Sequence, residues 1–256
     1  MEALPKFPDL AGQSVFITGG GKGIGAALTE AFLAQGARVA FVQRSDASAF
    51  CDELEARTGA RPLFIPCDVT DTAALRRALG QAAKAHGPVT VLVNNAANDE
   101  RRATLEVDEA FWDEAQAINL RPYFFASQAA IEGMRAAGGG AIVNFSSIAC
   151  LTGEVGYPAY VAANAAITGL TRSLAREFGA DGIRVNAIAP GWVLTERQRR
   201  KWASPEALAA HLERQALKRH LAPKDMVGPA LFLASTASAM VTGQTLVVDG
   251  GVVMAG

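Results

Sequence analysis

Seven short apolar runs rich in β-branched residues, each separated from the next by a longer Ala/Leu-rich stretch with helical spacing, constrain this chain more than any other feature. The runs are Ser14-Val-Phe-Ile-Thr18, Arg38-Val-Ala-Phe-Val42, Leu63-Phe-Ile65, Val89-Thr-Val-Leu-Val93, Ala141-Ile-Val-Asn-Phe145, Ile183-Arg-Val-Asn186 and Thr245-Leu-Val-Val248. Strands that are apolar along their whole length need cover on both faces, and alternating helices with right-handed crossovers supply it. The expected fold is therefore α/β: a doubly wound (Rossmann-type), mostly parallel sheet of about seven strands in a three-layer α/β/α sandwich. Ligands of such a sheet lie beyond the carboxyl ends of its strands. With 256 residues, half of them apolar, the chain reads as one domain spanning 1–256. Only the segment from Thr195 to about Leu221 breaks the alternation, as a charged, helix-prone insertion between the sixth and seventh strands. After Pro190-Gly191 it reads as a lid over the reaction centre.

Composition excludes several function classes. A net charge of -1 provides no clustered positive surface for nucleic acid or an anionic membrane, and Arg197-Gln-Arg-Arg-Lys201 reads as a solvated stretch. Cys51, Cys67 and Cys150 are odd in number and lack paired spacing, and His86, His211 and His220 are scattered. These patterns imply reduced thiols and neither a disulfide framework nor a metal cluster. The opening Met1-Glu-Ala-Leu-Pro-Lys-Phe-Pro-Asp-Leu10 carries charges and prolines where a signal peptide needs an apolar run, and no later stretch is long enough to span a bilayer. A cytoplasmic protein is expected.

Gly19, Gly21, Gly23 and Gly25 follow the first strand and open a helix expected from Ala26 to Gln35. Backbone without side chains can approach a pyrophosphate closely, and the amides at a helix start face it, so the turn predicts a dinucleotide site that also involves Lys22 and Ile24. Charge predicts which dinucleotide. An NAD site places a carboxylate at the end of the second strand, where it binds the ribose 2′-hydroxyl and repels a 2′-phosphate. Here that residue is Gln43, followed by Arg44 and accompanied by Lys22. Two cations without an opposing acid predict NADP in preference to NAD.

The Thr18-Gly-Gly-Gly-Lys-Gly-Ile-Gly25 turn, Asn94-Asn-Ala96 at the end of the fourth strand, Ser147, and Tyr160-Val-Ala-Ala-Asn164 together resemble the short-chain dehydrogenase/reductase family over nearly the whole chain. The resemblance implies that Asp68 and Val69 lie at the adenine ring and that Asn95 lies at the cofactor. Pro190-Gly191, Val193 and Thr195 would form the turn at the nicotinamide, and Asp249-Gly-Gly251 matches the family's usual end. Ala97 stands where the family often has glycine. Ser147 would hydrogen-bond the reacting oxygen, Tyr160 would transfer its proton, and Asn119 would hold a water in the relay. Ser146 and Tyr157 are the rivals of Ser147 and Tyr160, and alignment with the helix after Tyr160 favours the latter pair. The family is usually tetrameric, so a homotetramer is expected.

One residue departs from that pattern in a way that matters chemically: Asn164 occupies the position of the family's lysine, which holds the ribose and acidifies the tyrosine. A free phenol with a pKa of about 10 is ionised in only about one molecule per thousand at neutral pH. A cation about 5 Å away at an effective dielectric of about 20 contributes roughly 3 kcal/mol, or about two pKa units. Asn164, one helical turn after Tyr160, can donate to a ribose hydroxyl but brings no charge. No Lys, Arg or His between Tyr157 and Thr171 replaces it. The expectation is a site that oxidises alcohols at alkaline pH better than it reduces carbonyls near neutrality.

Within the family, Asn94-Asn-Ala-Ala-Asn-Asp-Glu100, Pro190-Gly-Trp-Val-Leu-Thr195 and Lys201-Trp202 resemble bacterial sugar (aldose) 1-dehydrogenases, which form lactones. A polyol needs convergent hydrogen-bonding partners, and Asn98, Ser147, Glu154, Trp192 and Gln198, with Asp99 and Trp202, are the candidates. Two other readings share the same landmarks: a 3-oxoacyl-thioester or other carbonyl reductase, and a non-catalytic NADP-binding protein disabled by Asn164.

Overall fold

A computed structural model describes residues 5–254. In chain order, β1 (Ser14–Thr18), α1 (Gly23–Ala34), β2 (Arg38–Gln43), α2 (Ser48–Thr58), β3 (Leu63–Pro66), α3 (Thr72–His86) and β4 (Val91–Asn94) build the first half. The second half comprises α4 (Glu109–Asn119), α5 (Arg121–Ala136), β5 (Gly140–Phe145), α6 (Ala149–Thr152), α7 (Pro158–Phe178), β6 (Ile183–Pro190), α8 (Glu196–Lys201), α9 (Pro205–Arg214), α10 (Val227–Ala234) and β7 (Thr245–Val248). All seven expected runs are strands of one sheet, in the order β3-β2-β1-β4-β5-β6-β7. Every pairing is parallel.

Alternation along each strand sends side chains to two separate cores. Val15, Ile17, Val39 and Phe41 pack on one face with Leu28 and Phe32 of α1, Leu54 of α2 and Leu231 of α10. Phe16, Ala40, Val42 and Leu92 pack on the other with Leu75 of α3, Ile131 and Met134 of α5 and Leu174 of α7. The direction of winding reverses between β1 and β4, and the crevice beyond their carboxyl ends is where such a sheet takes a ligand.

Three boundaries differ from the sequence expectation by more than one residue. Helix α1 begins at Gly23, because the last glycines of the turn are already helical. Strand β4 begins at Val91 rather than Val89. Strand β6 continues past Asn186 to Pro190, since β5 and β7 pair with it on both sides. Asn186 is tolerated inside it because its amide donates to Val241 O at 2.8 Å and its oxygen accepts from Gln244 N at 3.1 Å.

The segment after β6 leaves the sheet and returns to almost the same place. Val193 and Leu221 form a parallel bridge, and Leu194 N donates to Leu221 O at 2.9 Å. Between them, Thr195 caps α8 by accepting from Gln198 N at 3.2 Å, and Ser204 caps α9 by accepting from Ala207 N at 3.2 Å. Among the described residues no helix is long and apolar enough to cross a membrane.

Candidate active site

The ends of β1 and β4 are tied together by half-buried hydrogen bonds between uncharged groups. Thr18 Oγ1 accepts from Asn95 N at 2.9 Å and Ala96 N at 3.0 Å, and Asn95 Nδ2 donates to Thr18 O at 3.0 Å and Gly19 O at 3.2 Å. Deeper in the sheet, Asn94 Nδ2 donates to Asn144 Oδ1 at 2.9 Å, and Asn144 Nδ2 donates to Thr171 Oγ1 at 3.0 Å, linking β4, β5 and α7. The turn that follows β1 needs its glycines. Gly19 has φ +71°, and a Cβ on Gly25 would fall onto the Gly19 carbonyl and 2.8 Å from Asn95 Nδ2. Gly23 lies under Thr195, whose Cγ2 would be 3.0 Å from an added Cβ. Bare backbone at a helix start, closed on one side by Thr195, fits the pyrophosphate of a dinucleotide.

Around this cradle the other expected cofactor residues fall on the same side of the sheet. Gln43 lies against Gly21, where its side chain would meet an added Cβ, and its Nε2 donates to Ser45 O at 2.9 Å. Lys22 is exposed at the start of α1. Arg44 faces Asp68 across 3.7 Å. Burial opposes ionisation of Asp68, but hydrogen bonds from the Thr70 amide and hydroxyl, with Arg44 nearby, hold it below the ordinary carboxylate range. Val69 is buried beside it.

Beyond β5 and β6 a cavity of about 410 Å³ opens, with Ser147, Tyr157 and Tyr160 on one side and Trp192, Gln198 and Trp202 on the other. Ile24, Asn95, Ala97, Glu154, Val193 and Thr195 also border it, which brings the cofactor turn and the candidate substrate residues to one space. The two serines divide as their neighbours dictate. Ser146 Oγ is turned into α7, donating to Asn164 O at 2.9 Å. Ser147 Oγ accepts from Ala149 N at 3.1 Å and is the hydroxyl near enough to the Tyr160 phenol to favour its ionisation.

Tyr160 is an unusually weak acid. Burial pushes its phenol well above the ordinary tyrosine range, the Asp99 carboxylate and Tyr157 push it further, and hydrogen bonds to Ser147 and Asn164 recover only part. None of the largest influences on it is a cationic side chain. Asn164 is 3% exposed, and its amide donates to the Tyr160 carbonyl at 2.9 Å. Tyr157 lies beside Tyr160 with ring centroids 5.5 Å apart and the rings tilted by 30°. Its phenol is raised by burial and partly relieved by Arg101.

Asn119 and Asn98 stand behind the cavity wall. Asn119 Oδ1 accepts from Asn98 N at 2.7 Å, while its Nδ2 donates to Asn98 O at 3.0 Å and Ala115 O at 2.9 Å. Both polar ends of Asn119 are thus occupied in shaping the loop after β4. That loop grips α8: Arg197 donates to Asn98 Oδ1 at 2.6 Å, Asp99 Oδ1 at 3.2 Å and Glu100 Oε2 at 3.3 Å. Lys201 donates to Glu100 Oε2 at 2.7 Å. Gln198 Nε2 donates to Asp99 Oδ2 at 2.6 Å while its Oε1 accepts from Trp192 Nε1 at 2.9 Å. On the far side, Arg214 pairs with Glu154 at 3.0 Å. Arg101, His211 and Arg214 line the cavity without any signal in the sequence, where they are ordinary polar residues of a loop and a helix. Arg101 reaches it by lying 4.3 Å over the Trp202 ring and 5.1 Å over Tyr157.

A profile of the short-chain dehydrogenases, described as Enoyl-(Acyl carrier protein) reductase, matches residues 19–253. The chain belongs to the short-chain dehydrogenase/reductase family. It is 53% identical to the "Probable galactose dehydrogenase" of Rhizobium meliloti (strain 1021), covering 96% of this chain and 97% of that one. It is 42% identical to the D-xylose 1-dehydrogenase of Caulobacter vibrioides (strain NA1000 / CB15N), again covering 96% and 97%. Among solved structures, a blue fluorescent protein from a metagenomic library, in complex with NADPH, superposes with a TM-score of 0.88 at 36% identity, covering 95% of this chain and 99% of that one. As a short-chain dehydrogenase/reductase, the chain is an oxidoreductase with the family's sheet and glycine turn in place.

Proposed function

We propose that this protein oxidises the anomeric hydroxyl of an aldose to the lactone, with NADP taken in preference to NAD. The observation that carries the reading is the shared cavity: Ser147 and Tyr160 line a space of about 410 Å³, walled by both polar and apolar groups, that Ile24 of the glycine turn and Thr195 also border. The names of the relatives, a galactose and a xylose dehydrogenase, support a sugar. The glycine turn would hold the pyrophosphate, with Val193 and Thr195 beside the nicotinamide and Lys22 and Arg44 beside a 2′-phosphate. When bound, that cofactor supplies the hydride acceptor.

The chain's own residues supply position and proton transfer. Ser147 holds the substrate hydroxyl, and Tyr160, as phenolate, takes its proton. Glu154, Trp192 and Gln198 line the same cavity and would pack against the rest of the sugar, and α8 and α9 would serve as the lid that keeps water out. Because the phenol is raised and lacks a cation, the oxidation rate rises with pH through the alkaline range, following the small phenolate fraction. Tyr160→Phe removes the proton acceptor, and turnover of every aldose is expected to vanish while cofactor binding survives. Turnover intact in that variant overturns the assignment. Asn164→Lys returns the cation and is expected to lower the kinetic pKa for oxidation by about two units.

The raised phenol also favours a second reading, a cofactor-binding protein without turnover. Assays on pentoses, hexoses and a 3-oxoacyl thioester between pH 7 and 10, beside an NADP titration, separate the two: binding without conversion of any substrate selects the second.

A further inference from the structure

Trp202 and His211 lie on the segment that leaves the sheet after β6, and both line the cavity that holds Tyr160. Five buried side-chain polar atoms among the described residues have no hydrogen-bond partner, and two of them are Trp202 Nε1 and His211 Nε2. Neighbouring Trp192, in the same wall, has its indole nitrogen satisfied by Gln198 at 2.9 Å. Orphaned polar atoms are costly away from water, so two carried by side chains that line one cavity mark a place where a ligand can supply the missing partners.

Both rings are held by packing rather than by hydrogen bonds. His211 stands edge-on to Trp192, with centroids 5.5 Å apart and an interplanar angle of 85°. Trp202 lies under the Arg101 guanidinium at 4.3 Å, with Lys201 at 5.8 Å. Packing fixes where the rings sit and leaves their nitrogens uncommitted. Chemically they complement each other: an indole N–H only donates, whereas a neutral imidazole offers one donor and one acceptor. Burial, with Arg214 and His220 near, keeps His211 below the ordinary histidine range and therefore neutral at pH 7. A polyol presents both lone pairs and O–H groups, which such a pair can tell apart by position.

We infer that Trp202 and His211 form a specificity subsite that reads sugar hydroxyls remote from the carbon being oxidised, once the segment adjusts around the substrate. The inference rests on the aldose reading. It concerns recognition only, and neither residue takes part in proton transfer.

The test uses the whole protein with NADP and compares D-galactose, its 4-epimer D-glucose and D-xylose, which lacks the terminal hydroxymethyl group. Trp202→Phe keeps the ring and removes the N–H; His211→Leu removes both nitrogens and His211→Gln restores a donor and an acceptor. KM for the preferred sugar is expected to rise about tenfold in Trp202→Phe and His211→Leu with kcat changed less than about threefold, and the ratio of kcat/KM between epimers is expected to collapse toward unity. His211→Gln recovers part of that ratio. A KM that rises while the epimer ratio stays at its wild-type value overturns the inference, as does no change at all. Thermal melting and NADP titration establish that each variant is folded; if Trp202→Phe melts early, the His211 pair decides alone. Should the wild-type protein oxidise none of the three sugars, the aldose reading fails separately, and sugar binding to the NADP-loaded protein is measured by calorimetry. Binding weakened about tenfold by the variants then upholds the subsite, and binding that is unaffected or absent overturns it.

Discussion

The glycine turn at the end of β1 and the contact between α8 and the loop after β4 border the same cavity, yet they are held by different kinds of bond. At the turn, Thr18, Asn95 and Gly19 exchange short hydrogen bonds between backbone and uncharged side chains that are largely shielded from water. Above the cavity, Arg197 and Lys201 reach residues 98–100 with guanidinium and ammonium groups whose side chains are 41% and 32% exposed. Neutral bonds shielded from water leave an orphan when broken, whereas ion pairs made by partly exposed cations are screened by salt, and fully exposed ones are worth only about 0.2–1 kcal/mol each. The cofactor side is therefore built to stay fixed, and the substrate side to part and re-form cheaply.

Three variants sharpen or break that contrast. Gly25→Ala should have the largest effect, because its Cβ has no room against the Gly19 carbonyl: a loss of about 2 kcal/mol of stability, with NADP affinity falling at least about tenfold, is expected from melting and cofactor titration. If only affinity falls, the turn is not part of the framework and the contrast fails. Asp99→Asn should shift the alkaline rate profile by up to about one pH unit toward lower pH. The sign follows from the phenol: burial and then the Asp99 carboxylate raise it, so removing that negative charge makes the phenolate form earlier. A profile that moves the other way, or not at all, removes Asp99 from the electrostatics of the site. Arg197→Met should be mildest, raising KM several-fold with melting temperature and NADP affinity unchanged. Between about 0.05 and 0.5 M salt, KM of the wild-type protein should rise and that of Arg197→Met should not.

How much of this was readable in the chain divides along the same line. The sheet was legible because the strands are apolar throughout, and all seven appear; the glycine turn was legible because its spacing expresses a backbone requirement. The grip on α8 was not, since Arg197 meets Asp99 only after the topology brings together residues 98 positions apart. His211 and Arg101 escaped for the same reason. Asn119 and Asn164 show a subtler limit. Their positions follow from family resemblance, but what their amides do depends on local partners: Asn119 binds the backbone of Asn98, and Asn164 bonds the carbonyl of Tyr160, one turn back on its own helix. Spacing tells which face a residue occupies and leaves open which neighbour claims its hydrogen bonds.

The bridge between Val193 and Leu221 joins the two ends of the segment that carries α8 and α9. A chain that departs and re-enters through one pair of adjacent residues can have its intervening stretch exchanged wholesale, by recombination in nature or by grafting at the bench, while the seven-stranded frame beneath keeps its registration. Diversification of substrate preference in such a scaffold can then run in large part through one cassette.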